Sequence, residues 1–249
     1  MRFDELYGEL DRRFPRTLSA DWDNDGVMCR VGDEADSVLI ALDATLDVIR
    51  YASENGFSTV LTHHPMIFRP ITSLDGETAV SRRVLFAATR GINVISLHTR
   101  LDAGDGGVND TLARVVGLRV FGTFGPSDAP TLGRLAEFDG DCGDLALCAK
   151  TALGCAAVRV TGSGSARRVA ICGGDGGSMI EPARAAGADV LITGDVGYNA
   201  AEAAAEMGLS VIEAGHYNTE FPVCLALSEI LETLGVRSEI YEACPSTII

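Results

Sequence analysis

The chain has 249 residues, 47% of them hydrophobic and 22% charged, and carries a formal net charge of −15. That length suits one large α/β domain or two smaller ones sharing an interface, and the composition excludes a disordered or fibrous protein. The acidic balance disfavours a nucleic-acid partner, because phosphate backbones are held by clustered Lys and Arg.

The opening segment MRFDELYGELDRRFP lacks the continuous apolar core of a signal peptide. No later stretch stays apolar for the roughly 20 residues a membrane span requires, so a cytoplasmic protein with no membrane contact is expected. Runs rich in Val, Ile and Leu alternate with segments of helical period, the pattern of β/α units feeding mostly parallel or mixed sheets. In chain order the expected strands are Ser37–Leu42, Thr59–Thr62, Asn93–Leu97, Ala157–Thr161, Val169–Cys172, Val190–Thr193, Ser210–Ala214 and Arg237–Tyr241. Between the first two, Thr45–Glu54 reads as a helix that stops at Asn55-Gly56. Gly91, Gly187, Gly208 and Gly235 give similar punctuation. The stretch Gly122–Pro130 mixes Gly, Pro, Ser and Asp without periodicity and reads as a linker, hence a domain boundary. The seven cysteines are odd in number, scattered and without a C-x-x-C pair, so most are expected to be buried and reduced.

All four histidines fall at the C-terminal ends of expected strands: His63 and His64 after STVLT, His98 after NVISL, and His216 after SVIEAG. A single histidine is more often a surface or hydrogen-bonded structural residue than a ligand. Four at strand ends is a pattern, because α/β sheets assemble their ligand sites there. Consecutive residues on extended backbone point to opposite sides, so His63 and His64 suit two neighbouring metal ions unless the chain kinks between them. Pro65 favours extended geometry at His64.

Asp102 follows His98 by four residues in LHTRLDAGDGGVND, where Gly-rich backbone can turn around a site. Asp105 and Asp110 compete with it, although Asp110 suits the start of the following helix. In AGHYNTEFP, Thr219 reads as a helix cap, and Glu220 is either a ligand beside His216 or a carboxylate favoured by a helix N-terminus. Three imidazoles with two carboxylates suit Zn, Fe, Mn or Co rather than calcium. Two such ions roughly 3.5–4 Å apart activate a shared water, which points to hydrolysis. His98 is then a supporting imidazole near the metals, or a plain hydrogen-bonded residue. VAICGGDGGSMI reads as a tight structural turn rather than a phosphate cradle, and Asp195 in TGDVGYN as an acid facing the site. No G-x-S-x-G elbow is present, which disfavours a serine hydrolase.

The segments LTHHPMIF, LHTRLDAGDGGVND and AGHYNTE, with ADWDNDGV, ALDATLDVI, VAICGGDGGS and ITGDVGY, resemble the Nif-three-like family. Many of its bacterial members are named type-two GTP cyclohydrolase I homologues. The resemblance spans nearly the whole chain. It implies two α/β domains, residues 1–123 plus 217–249 and residues 124–216, with a dinuclear metal site in the cleft between them. Carried over by position, the ligands of two divalent metal ions per chain fall on His63, His64, Asp102, His216 and Glu220; no catalytic residue is assigned. It also implies a homohexamer and a metal-dependent hydrolase of a small molecule or nucleotide. The alternative is a non-enzymatic metal-binding or regulatory interaction protein. Arg100 stands where the family commonly has asparagine, and Asn199 where it commonly has histidine. Both are expected near the mouth of the site, where they would bear on substrate preference.

Overall fold

The computed structural model describes residues 1–129 and 131–247. Eleven strands and ten α-helices, numbered β1–β11 and α1–α10 along the chain, form two compact units among the described residues. The first unit comprises Met1–Leu101 and Cys224–Ala243. The second comprises Asp102–Val223 with the stretch that begins at Cys244.

The first unit is a five-stranded mixed sheet of order β1-β4-β3-β2-β11. Here β2 (Ser37–Ala41), β3 (Thr59–Thr62), β4 (Asn93–Ser96) and β11 (Arg237–Ile240) run parallel, and β1 (Gly26–Cys29) pairs antiparallel with β4. Every residue of β2, β3 and β4 is buried, as expected of parallel strands covered on both faces. The helix α2 (Leu46–Glu54) starts where the Thr45 side chain accepts from Val48 N at 3.3 Å. It buries Val48, Ile49 and Ala52 in a core with Leu39, Val60 and Val94. Strand register aligns the C-terminal ends: Ala41 pairs with Thr62, and Thr62 with Ser96. The residues two places further on, Asp43, His64 and His98, therefore leave three adjacent strands at one level.

The second unit is a six-stranded mixed sheet of order β5-β6-β8-β9-β10-β7. Its parallel centre is β8 (Arg168–Asp175), β9 (Val190–Asp195) and β10 (Ser210–Glu213); β5 (Arg119–Phe124), β6 (Gly133–Glu137) and β7 (Arg159–Thr161) add antiparallel flanks. Alternation along β8 sends Val169 and Ile171 into one core with Leu112 and Leu145, and Ala170 and Cys172 into another with Met179 and Leu191.

This architecture corrects two expectations. The segment expected as a linker holds the end of β5, and β5 and β6 form a hairpin inside the second unit; Pro130 lies outside the described residues. The units accordingly part at Leu101/Asp102 and Val223/Cys224, not at 123/124 and 216/217. Residues 102–123 belong with the second unit because α5 (Val108–Val116) packs Leu112 and Val116 into its core and β5 joins its sheet.

Candidate metal centre

In the first unit His63 and His64 lie just past β3, in a bend rather than on extended backbone. The bend is held by the Thr62 hydroxyl, which donates to His64 O and bonds the Ser96 hydroxyl, both at 2.8 Å, and by His64 N, which donates to Leu42 O. The two rings consequently converge, with centroids 4.9 Å apart, and His98 joins them at 5.3 Å and 5.8 Å. The three imidazoles place ligand nitrogens within 4.8 Å of one another. This overturns the geometric case for two ions from opposed neighbours, since the chain kinks where extended geometry was expected.

Each of these imidazoles is oriented by an oxygen at Nδ1. His63 meets Leu97 O at 3.1 Å, His64 meets Asp43 Oδ1 at 3.0 Å, and His98 meets Asp23 Oδ1 at 2.8 Å. A carbonyl or carboxylate only accepts, so Nδ1 carries the proton and Nε2 is the nitrogen that can act as a base or ligand. Asp23 is itself fixed by Thr99, whose N and Oγ1 both donate to Oδ2. Burial pushes this carboxyl up, but the bonds from His98 and Thr99 outweigh it and bring the pKa from its ordinary 3.8 to about 2. Asp23 is a buried anion.

In the second unit α9 (His216–Glu220) sits directly on the ends of β8 and β9. Its five residues put His216 and Glu220 on one face at i and i+4. His216 Nδ1 lies 3.2 Å from Asp195 Oδ2, and Nε2 lies 3.1 Å from Glu220 Oε2. Two donors each about 2.0–2.2 Å from a shared zinc-sized ion stand roughly 3–3.5 Å apart, so this pair fits a common ion. Asp102, in α4 (Thr99–Ala103), brings a carboxylate oxygen within 4.8 Å of one on Glu220. Burial, with the charges of Asp102 and Glu220 nearby, pushes the Cys172 thiol well up.

The glycines explain how α9 comes so close. A Cβ on Gly174, at φ +70°, would collide with Glu220 Oε1 and lie 3.3 Å from His216 Nε2. A Cβ on Gly194 would lie 2.5 Å from Gly174 O and 2.7 Å from His216 Cα. The Gly-rich turn of VAICGGDGGS thus clears space for the donors. Thr219 is no helix cap: it lies inside α9, where its hydroxyl donates to Gly215 O and accepts from Gly174 N at 3.1 Å, tying α9 to β8. Glu220 ends α9 and is buried, so an N-terminal dipole role does not apply. Asn109 steadies the Asp102 turn from the same side, donating to Asp102 O and Leu132 O and accepting from Gly173 N.

The rival carboxylates are engaged elsewhere. Asp110 Oδ1 pairs with buried Arg134 Nε at 2.8 Å, and Oδ2 accepts from Gly106 N; Asp105 is exposed. Arg100 is not at the mouth of a site. It is fully buried in the first unit, with NH1 2.7 Å from Asp11 Oδ1, Nε 3.2 Å from Asp25 Oδ2, and NH1 donating to Phe14 O. Asn199 is exposed on α8 (Tyr198–Glu206). The sequence reading missed Asp43 and Asp23 as orienting carboxylates. Asp43 carried the same signal as the histidines, a polar residue just past a buried parallel strand.

Two mixed α/β sheets, each presenting imidazole and carboxylate donors at the C-terminal ends of its parallel strands, define an α/β scaffold with candidate metal sites. The chain belongs to the Duf34/NIF3 (NGG1p interacting factor 3) family, which it matches over residues 1–244. It is 33% identical over 239 residues to a Clostridium perfringens protein named GTP cyclohydrolase 1 type 2 homolog, covering 92% of this chain and 90% of that one. A Clostridium acetobutylicum protein of the same name is 31% identical over 255 residues, covering 96% and 94%. The crystal structure of a Staphylococcus aureus hypothetical protein superposes with a TM-score of 0.91 at 28% identity, covering 100% of this chain and 99% of that one. No helix among the described residues is long and apolar enough to cross a membrane.

Proposed function

We propose that His63, His64, Asp102, His216 and Glu220 hold a pair of divalent transition-metal ions, and that the chain uses them to hydrolyse a small molecule or nucleotide. The observation that carries this reading is the shared arrangement of the four imidazoles, each with Nδ1 set against a carbonyl or carboxylate oxygen. That is how proteins prepare neutral histidines for metals. The relatives named GTP cyclohydrolase 1 type 2 homolog support a nucleotide with hydrolytic ring opening.

When bound, such ions supply a water activated at neutral pH and a counter-charge for a developing oxyanion. The chain's own residues do the rest. Asp43 and Asp195 keep the His64 and His216 rings turned with Nε2 outward. His98, held through Nδ1 by Asp23, supports the site and offers Nε2 to accept a proton.

Metal analysis of untagged, reconstituted protein tests the ligand set. About two equivalents of Zn, Fe, Mn or Co per chain are expected, with losses in H63A and E220Q, and a 10- to 100-fold weaker affinity in D43N by the usual cost of removing an orienting partner. Metal content unchanged in H63A and E220Q sinks the reading. Turnover is tested on the loaded protein with GTP, other nucleotides and phosphoesters. A panel left wholly untouched replaces the hydrolase with the metal-organised interaction protein that the family's description evokes. The homohexamer belongs to the same proposal, and light scattering at about six times 26.2 kDa is its check.

A further inference from the structure

The chain's single tryptophan is displayed rather than buried. Trp22 is 60% exposed, and beside it Phe68 is 44% exposed, with the rings edge-on at 6.1 Å. Both rings also stand edge-on to His98, at 6.2 Å and 5.9 Å.

The loop that carries Trp22 is held on both sides of the ring. Ser19 Oγ donates to Asp25 Oδ2 at 2.7 Å, Ala20 N donates to Thr99 Oγ1, Asp23 accepts from Thr99, and the Asn24 side chain donates to Ile67 O. That last bond also joins the Trp22 loop to the segment bearing Phe68. An aromatic ring on a support held in this way has less freedom to lose on binding, which is what a recognition platform needs.

We propose that Trp22, with Phe68 standing edge-on beside it as a side wall, forms a stacking platform for the planar heteroaromatic ring of a phosphorylated small molecule, such as a nucleotide. The proposal rests on the metal-centre reading and names the substrate part that the metals do not touch. Position supports it: a ring lying on Trp22 has the imidazole corner one ring further on, past His98, so its polar end faces the donors. Size supports it too. At these exposures the two side chains offer roughly 200 Å² of apolar surface, given 150–250 Å² for a whole aromatic residue. A stable protein interface needs about 800 Å² from each partner. The patch suits one flat ligand, and it tolerates any base because every base has a π-face.

Trp22 is also the reporter, being the only indole in the chain. Protein of measured metal content is titrated with guanosine 5′-monophosphate and, as the ringless control, ribose 5-phosphate. Saturable quenching of Trp22 emission by the nucleotide alone is expected. By calorimetry, W22L should bind the nucleotide about 5- to 100-fold more weakly, the range for loss of one base stack, and F68L, which loses only an edge contact, less so, while metal content and ribose 5-phosphate affinity hold. Nucleotide affinity unchanged in both variants overturns the platform, as does W22L sedimenting as a smaller assembly, which would assign the ring to a second copy. Quenching by the nucleotide in protein that binds no metal upholds the platform while the metal centre falls. Absent quenching in fully loaded protein does the reverse.

Discussion

The imidazole corner of the first unit and the α9 corner of the second reach similar chemistry by different physical means. In the first, strand register sets the level of Asp43, His64 and His98, and buried charge fixes the surrounding loop: Asp23 binds His98 and Thr99, and Asp25 meets Arg100. In the second, the donors are placed by shape. The His216–Glu220 helix rests on backbone that only glycine allows at Gly174 and Gly194. Damage to the first corner should therefore follow charge, and damage to the second should follow volume.

The strongest break in the charged corner is Arg100→Asn. Asp25 would be left as a buried anion without its guanidinium, and removing one partner of a buried pair costs about 3–5 kcal/mol. Urea denaturation should show that loss, with recovery in a variant that also carries Asp25→Asn. A shift under 1 kcal/mol for Arg100→Asn would mean that Arg100 does not brace the loop.

Gly194→Ala tests the other corner with a single methyl group. That methyl would meet the Gly174 carbonyl and the His216 backbone, neither of which can rotate away, so a cost of about 3 kcal/mol is expected, at the upper end for overpacking. Metal affinity should fall with it, because α9 must lift. Gly56→Ala is the control: its methyl meets open space, and only the φ of +73° opposes it, for about 1 kcal/mol. Equal costs at the two glycines would refute placement by shape.

The same contrast explains what could be read from the sequence. Strands β2, β3, β9 and β10 centre on Val, Leu and Ile, and the four histidines after buried strands were visible because register is local arithmetic. The strands β1, β5 and β6 were not visible. β5 contains Gly122 and a register shift between Val120 and Gly122, and β6 carries Arg134, whose burial is balanced by Asp110 from a distant helix. The bend at His63-His64 was hidden for a related reason: it depends on the Thr62–Ser96 contact across 34 positions. Closeness of α9 to β8 and β9 left glycines in the sequence, but a glycine marks a permitted approach without naming what approaches.

The mildest test of the charged corner is pH. Asp23 has a folded pKa of about 2 against 3.8 in the unfolded chain, so the folded state binds its proton more weakly than the unfolded state does. Its stabilisation is therefore complete above about pH 4–5 and is lost as pH falls toward 2, amounting to roughly 2 kcal/mol for a shift of this size. Its side chain is fully buried, so solvent screening takes little of that away. Asp23→Asn has no proton to gain, and other acid-titrating groups are common to both proteins. The stability gap between wild type and Asp23→Asn should thus close progressively between pH 4 and pH 2. A gap that persists unchanged to pH 2 would show that the carboxylate contributes through its shape and hydrogen bonds alone, and the first corner would then be held, like the second, without help from charge at this position.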